Sequence, residues 1–432
     1  MLYTIVTFII VLGILVVIHE WGHFYVARRN GVRILKFSVG FGPKIYGKKI
    51  GDTEYVISAI PLGGFVKMAG ENPDEIQKAP DEFASKTVWQ RAKIVFAGPF
   101  MNLFLAFALM PLVFLIGTDV PAYIDQAPKI GWVDENSPAQ KAGLQPGDVI
   151  QSINHRETDT WERALIQIGA NPDSPLDIVL KRGDEIKSVK MVSSSDEKTG
   201  VGTAGLYPEI PAAVGQVRKG FPAEKAGLEE GDKIISINEI PVTHWNQMSL
   251  FIKKNAGKEV NLTVDRKGSL LNKTLVPVKD DASGMVVIGV SIGQKMVFKR
   301  YGLFESIKKG FVKTAELTRL TFDVLKQMLT LNLSLKSLGG PIMIAQLTGQ
   351  AAHSGMGDLI ALMAFLSLQL AIMNLLPIPV LDGGWLLFLG IEAVMGRPLN
   401  QKGMQIAQTI GFAALMTLFV VVSYNDILRI FK

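Results

Sequence analysis

At 432 residues the chain is long enough for several modules, and 48% hydrophobic against 19% charged residues, with a mean hydropathy of +0.27, argues against an ordinary soluble enzyme. The net charge of +6 sits largely beside apolar segments, which fits orientation in a membrane rather than binding to nucleic acid. The absence of cysteine excludes disulfides and thiolate metal sites, so any metal must take nitrogen and oxygen ligands.

The first predicted element is an uncharged apolar run, Leu2–Ile18, that leads into VVIHEWGHFYVARR at residues 16–29. It reads as a membrane span over about residues 2–27, retained because no small-residue cleavage site follows a short apolar core. HExxH on a helix puts His19 and His23 on one face, with Glu20 about 100° around. At about 1.5 Å per residue, His23 lies roughly 8 Å and His19 roughly 14 Å inside the interface marked by Arg28–Arg29. Ionisable groups at that depth are costly and usually functional.

Basic residues from Arg28 to Lys49, with Arg91 and Lys93, place the 28–93 segment in the cytoplasm and the N-terminus outside. Ile34–Val39, Lys44–Lys49 and Tyr55–Ile60 have strand character between glycines. KFSVGFGPKIYG, containing Gly40, Phe41 and Gly42, is either a surface hairpin or one dipping beside the metal, where an open edge can pair with an extended peptide. A second span, Ile94–Thr118, opens with AGPFMN. Gly98 and Asn102 there serve either helix packing or a substrate site.

From Asp119 to about Gly293 the composition is that of a soluble region, and it repeats. SPAQKAGLQPGDVIQSIN at Ser137–Asn154 matches FPAEKAGLEEGDKIISIN at Phe221–Asn238, offset by 84 positions. Each copy reads as a short helix closed by glycine and then a strand alternating at period two. The pattern resembles bacterial PDZ domains. Gly205-Leu206-Tyr207-Pro208, before the second copy, resembles the carboxylate-binding loop of that fold. Such grooves bind extended peptides or act as steric gates.

Tyr301–Leu331 reads as an amphipathic helix on the membrane or against the bundle, and Gly339–His353 as a softer helix ending in an interfacial histidine. Leu359–Leu376 is a third span, ending in MNLLPIPVLDGG. Counting inward from Asp358 brings Asn374 to about 24 Å depth, the level expected for the two histidines. Pro377 and Pro379 break the helix, so Asp382 can sit on a loop or a fresh helix start facing the bundle. Gln405–Tyr424 is a fourth span, carrying the C-terminus outside.

His19, His23 and Asp382 thus form a candidate set of zinc ligands with an open fourth position. Glu20 is the natural general base, and Asn374 a donor to the peptide backbone or oxyanion. HEWGH, NLLPIPVLDGG and the paired repeats resemble the site-2 protease family of intramembrane zinc metalloproteases, most closely its bacterial regulator-of-sigma-E branch, over essentially the whole chain. That resemblance implies His19, His23 and Asp382 on one catalytic Zn2+, Glu20 as base and Asn374 as helper, with Gly40–Gly42 in a substrate-facing hairpin.

The expected fold is a polytopic α-helical membrane protein with four transmembrane helices, a membrane-associated β-hairpin region and two tandem PDZ-like α+β domains. Its expected domains are 1–118, 119–200, 201–293, 294–353 and 354–432. Expected substrate contacts are Gly40, Phe41, Gly42, Gly98, Asn102, Gly205 and Leu206. The resemblance further implies single-pass membrane substrates of the anti-sigma-factor type, remnant signal peptides, and a bacterial inner-membrane location with periplasmic repeats and termini. The alternatives are a membrane-anchored peptide-binding protein with a structural metal and an ion transporter. No repeated membrane halves point to the latter.

Overall fold

Four helices of the computed structural model are long and apolar enough to cross a membrane: Leu2–Arg29, Val88–Ile116, Met356–Asn374 and Gln401–Leu428, among the described residues. The structure describes residues 2–72, 75–196, 200–280, 284–329 and 339–430. They fall into two units: Met1–Thr118 with Lys299–Lys326 and Leu338–Lys432, and Asp119–Phe298 with Gln327–Ser337.

The first unit holds α1 (Leu2–Arg29), β1 (Ile34–Ile50), β2 (Thr53–Met68), α2 (Val88–Ile116), most of α3 (Leu303–Leu329), α4 (Pro341–Ser354), α5 (Met356–Asn374), α6 (Asp382–Met395) and α7 (Gln401–Ile430). Buried positions on α1 include Val11, Leu15, His19, His23 and Ala27, a stripe of one residue per turn that faces protein. A Cβ at Gly22 would overlap the Ala97 carbonyl, so the backbones of α1 and α2 touch. α2 starts earlier than residue 94 because Thr87 and Gln90 form a capping box, and Pro99 and Pro111 lie inside it.

α3 packs on α2, with the Phe107 and Phe311 rings 5.1 Å apart and a Cβ at Gly310 placed 2.5 Å from Pro111 N. Thr330 and Leu331, the end of the expected amphipathic helix, lie outside the described residues. The His353 ring lies against Tyr3, tilted by 46° with the centroids 4.8 Å apart. The N-terminus of α4 is closed by Asp426 of α7, whose carboxylate accepts the N–H groups of Gly340, Ile342 and Met343 at 2.9–3.0 Å.

The three short strands expected after α1 are parts of two long ones, β1 and β2, paired antiparallel. Both bend. Lys36–Val39 lies opposite Lys67–Gly64 and also opposite Glu54–Ile57, which pairs on its far side with Lys49–Tyr46, so the sheet is four strand segments wide. The bend in β1 is at Gly40 (φ +91°), where a Cβ would come within 2.7 Å of the Ile60 carbonyl oxygen. The 64–68 run lies beside α1, with the Cβ position of Gly64 3.1 Å from Val16 and 3.2 Å from Glu20 Cγ.

In the second unit the offset of 84 extends well beyond the matched motif. One sheet has the order Arg156–Glu157, Val149–Ile153, Pro175–Arg182, Glu185–Val192; the other has Ile240–Pro241, Lys233–Ile237, Val260–Arg266, Ser269–Leu275. Each packs on a helix, Trp161–Gly169 or Trp245–Lys254, around its own apolar core. The expected boundary at residue 200 moves. Leu206–Tyr207 pairs with Trp132–Val133, and Ala204 and Leu206 fill the first core. Gly205-Leu206 therefore closes the first copy instead of opening the second. Its counterpart is Gly289-Val290, where Val290–Ile292 pairs with Val214–Val217. The sequence match missed this because the segment lies about 50 residues beyond the motif of the copy it completes.

The offset also carries a buried ion pair. Arg182 bonds both oxygens of Asp148 at 2.7 and 2.8 Å, and Arg266 bonds Asp232 at the same distances. Burial alone would raise both carboxyl pKa values, but the guanidinium and a backbone N–H outweigh it and hold them below the ordinary range. A folded pKa below the unfolded one gives stability that is complete above about pH 4 and is lost as pH falls through the folded value. Asp232→Ala is expected to destabilise the second copy by about 2 kcal/mol at neutral pH and to abolish this acid dependence, read as faster amide exchange in Val260–Arg266 of the detergent-solubilised chain.

Candidate metal centre

His19 and His23 lie one turn apart on the buried stripe of α1, with their Nε2 atoms 3.2 Å apart. Asp382 reaches them from the far end of the chain. α5 stops at Asn374, the segment LPIPVL turns back, and Asp382 is the first residue of α6. Cβ atoms at Gly383 and Gly384 would overlap the carbonyls of Leu375, Leu376 and Ile378, so this turn closes only on glycine. Val380 within it has φ +98°, a strained setting for a β-branched residue and one found mainly at functional sites. The turn sets Asp382 Oδ2 3.1 Å from His19 Nε2 and Oδ1 3.5 Å from His23 Nε2.

These spacings test whether a metal fits. Four ligands held tetrahedrally at about 2.0–2.1 Å from zinc are about 3.3 Å apart. The two Nε2 atoms, 3.2 Å apart, match that edge, and Asp382 turns one oxygen to each ring, Oδ2 at 3.1 Å from His19 and Oδ1 at 3.5 Å from His23. Two imidazoles and a carboxylate are also a donor set that zinc accepts. Among the described residues they form the one grouping of three such side chains able to hold an ion.

α2 supplies the wall behind them. His23 Nδ1 donates to the Ile94 carbonyl at 2.9 Å, which leaves Nε2 free to ligate. A Cβ at Gly98 would overlap His23 Nε2 and stand 2.8 Å from His19 Nε2, so glycine keeps this space open. Asn102, 1% exposed, places its amide nitrogen 3.3 Å from His19 Nδ1, while its side-chain oxygen has no partner.

A cavity of about 410 Å³ opens onto the three donors. Glu20 lines it and accepts a hydrogen bond from the Val66 N–H. Asn374 and Phe41 line it as well, as does Asn102 with its amide turned to His19. Gly40 and Gly42 are not on its wall; they bend the strand that presents Phe41. Gly205 and Leu206 belong to the other unit.

Two features of the wall were not singled out from sequence. Gly63–Gly64 read only as turn punctuation, although LGG between two strand-like runs was a usable signal. The other is Glu71, which belongs to no motif in the sequence. Burial raises its pKa, partly countered by the Met68 N–H at 3.1 Å.

Residues 7–418 match peptidase family M50. The chain is 34% identical over 452 residues to the regulator of sigma-E protease RseP of Escherichia coli (strain K12), with 99% of each chain covered. It is 36% identical over 454 residues, again 99% of each, to a protein of Vibrio cholerae whose name assigns it to the zinc metalloproteases. Among solved structures it is similar to the PDZ domain of an SdrC-like protein from Listeria monocytogenes, at 20% identity over 20% of this chain and 90% of that one, TM-score 0.18.

Gly98→Ala is expected to cut bound zinc from one equivalent to a small fraction, measured by metal analysis of purified protein, because the added methyl group falls on the imidazole nitrogens. Full zinc content in a folded Gly98→Ala variant would count against a metal at this position.

Proposed function

The chain belongs to peptidase family M50 and is a membrane-embedded zinc metalloprotease, and we propose that one zinc ion held by His19, His23 and Asp382 serves the cleavage, with Glu20 as the proton carrier. The observation that carries this reading is the convergence of three donors from opposite ends of the chain at 3.1–3.5 Å, on a cavity that Glu20 shares.

Zinc at these donors supplies Lewis acidity, polarising a peptide carbonyl and acidifying water. The residues do the rest. Glu20 takes a proton from the attacking water on its carboxylate, as the water oxygen bonds to the carbonyl carbon. It returns that proton to the amide nitrogen as the C–N bond breaks, so the carboxylate ends as it began. The Val66 N–H holds Glu20 in place while this happens. Asn374, at the broken end of α5, donates its amide N–H to the carbonyl oxygen or the neighbouring backbone.

The substrate is a single-span membrane protein, of the anti-sigma-factor type or a remnant signal peptide, cleaved within the bilayer. A helix in lipid must unwind before its backbone can be attacked. The sheet of β1 and β2, with Phe41 on the cavity wall, is suited to receive the unwound stretch as an added strand. The two repeats are PDZ-like modules on the periplasmic side that admit only substrates already shortened there. The basic 28–93 segment faces the cytoplasm, from which water enters.

Glu20→Gln is expected to lower cleavage of a single-span substrate by about 10²–10⁴-fold while zinc stays at one equivalent. Asn374→Ala should cost about 10²–10³-fold in kcat. Unchanged cleavage by Glu20→Gln would sink the mechanism, and zinc retained after loss of both His23 and Asp382 would sink the ligand assignment.

A further inference from the structure

His19 and His23 stand in the same relation to the metal site, but the partners of their outer nitrogens differ. A ligating imidazole must carry its proton on the nitrogen turned away from the metal, and that N–H needs an acceptor. For His23 the acceptor is fixed: the Ile94 carbonyl at 2.9 Å. For His19 it is an amide, Asn102, at 3.3 Å.

As placed, the Asn102 NH2 group faces His19 Nδ1, and its oxygen is buried without a partner. That arrangement puts the ring proton on Nε2, which then donates to Asp382 Oδ2 at 3.1 Å. Turning the amide over exchanges its oxygen and nitrogen at almost no cost in shape. The oxygen then accepts from Nδ1–H, the orphan is satisfied, and Nε2 presents a lone pair.

We infer that Asn102 is a positioning residue: with its side-chain oxygen turned to His19 it accepts from Nδ1–H and so aims the Nε2 lone pair at the metal site. The inference rests on the zinc-site reading above. The surrounding helices hold the amide in reach, because the Asn102 carbonyl accepts from Ser367 Oγ at 2.7 Å and ties α2 to α5 at this level.

The test compares zinc affinity, by chelator competition, in detergent-solubilised wild type, Asn102→Asp and Asn102→Leu. All three side chains have nearly the same shape. Leu removes every hydrogen bond; Asp keeps the acceptor that the loaded state needs. Asn102→Leu should weaken zinc binding roughly 10–100-fold, with Asn102→Asp much closer to wild type. Visible absorption of the cobalt-substituted proteins should change for Leu and not for Asp. A packing role predicts the reverse order, with apolar Leu tolerated and buried Asp disruptive, and that order would overturn the inference. If the Leu variant does not fold, Asn102→Ala against Asn102→Ser gives the same contrast. Wild-type protein that holds no zinc would overturn the site reading itself, whereas normal zinc and activity in Asn102→Leu would remove only the role of Asn102.

Discussion

Two imidazoles and two carboxylates inside an apolar helix bundle are tolerable only if they answer one another. A single acidic side chain at the bilayer centre costs about 2.5–3.5 kcal/mol even on the lenient insertion scale. Glu20 and Asp382 together would thus spend about half the net stability of a typical domain, 5–15 kcal/mol. The offset comes from convergence: Asp382 faces both imidazoles, and Glu20 meets a backbone N–H at the end of β2. This requirement explains why residues separated by most of the chain length come to one depth, and why the turn before α6 tolerates a positive φ at Val380.

α2 makes that convergence possible. Its residues 94, 98 and 102 recur every four positions, so a carbonyl, a gap and an amide lie in one line along the helix. The carbonyl orients His23, the gap leaves room in front of the imidazole nitrogens, and the amide meets His19. Close approach of α1 at Gly22 brings the line within reach. The glycines are geometric requirements here, because any side chain would separate the helices or fill the space in front of the histidines.

Much of this was legible in the sequence because periodicity and depth are arithmetic. HExxH gave one helix face, and counting rises from Arg28–Arg29 and from Asp358 put His19, His23 and Asn374 at one level; all of them line or flank one cavity. What was not legible depended on pairing across space. GFG marks the hairpin, but only the folded sheet shows that Phe41 reaches the cavity wall while the glycines make the bend. Glu71 could not be told from a surface acid, because nothing local reveals its burial. The Asp148–Arg182 pair escaped the repeat because KRGD and DRKG look unrelated until the offset of 84 aligns Arg182 with Arg266. Gly205-Leu206 was given to the wrong copy for a related reason: a closing strand is defined by its partner, Trp132–Val133, and not by its neighbours in sequence.

The two copies also show how duplicated modules become one body. The first caps its main helix with Thr160, whose hydroxyl accepts the Arg163 N–H. At the same place the second has His244. Burial lowers the pKa of this ring and keeps it neutral, so Nδ1 can accept the Asn246 N–H at 3.1 Å and cap the helix as threonine would. The larger ring also reaches out of its own copy. Its Nε2 donates to the Pro208 carbonyl at 2.9 Å, at the end of the first copy's closing segment, and its face lies on Trp132, 5.6 Å between centroids at an angle of 12°. A capping position that serves only its own helix in one copy therefore becomes the joint between the two in the other. The Asp–Arg ion pair stays the same in both.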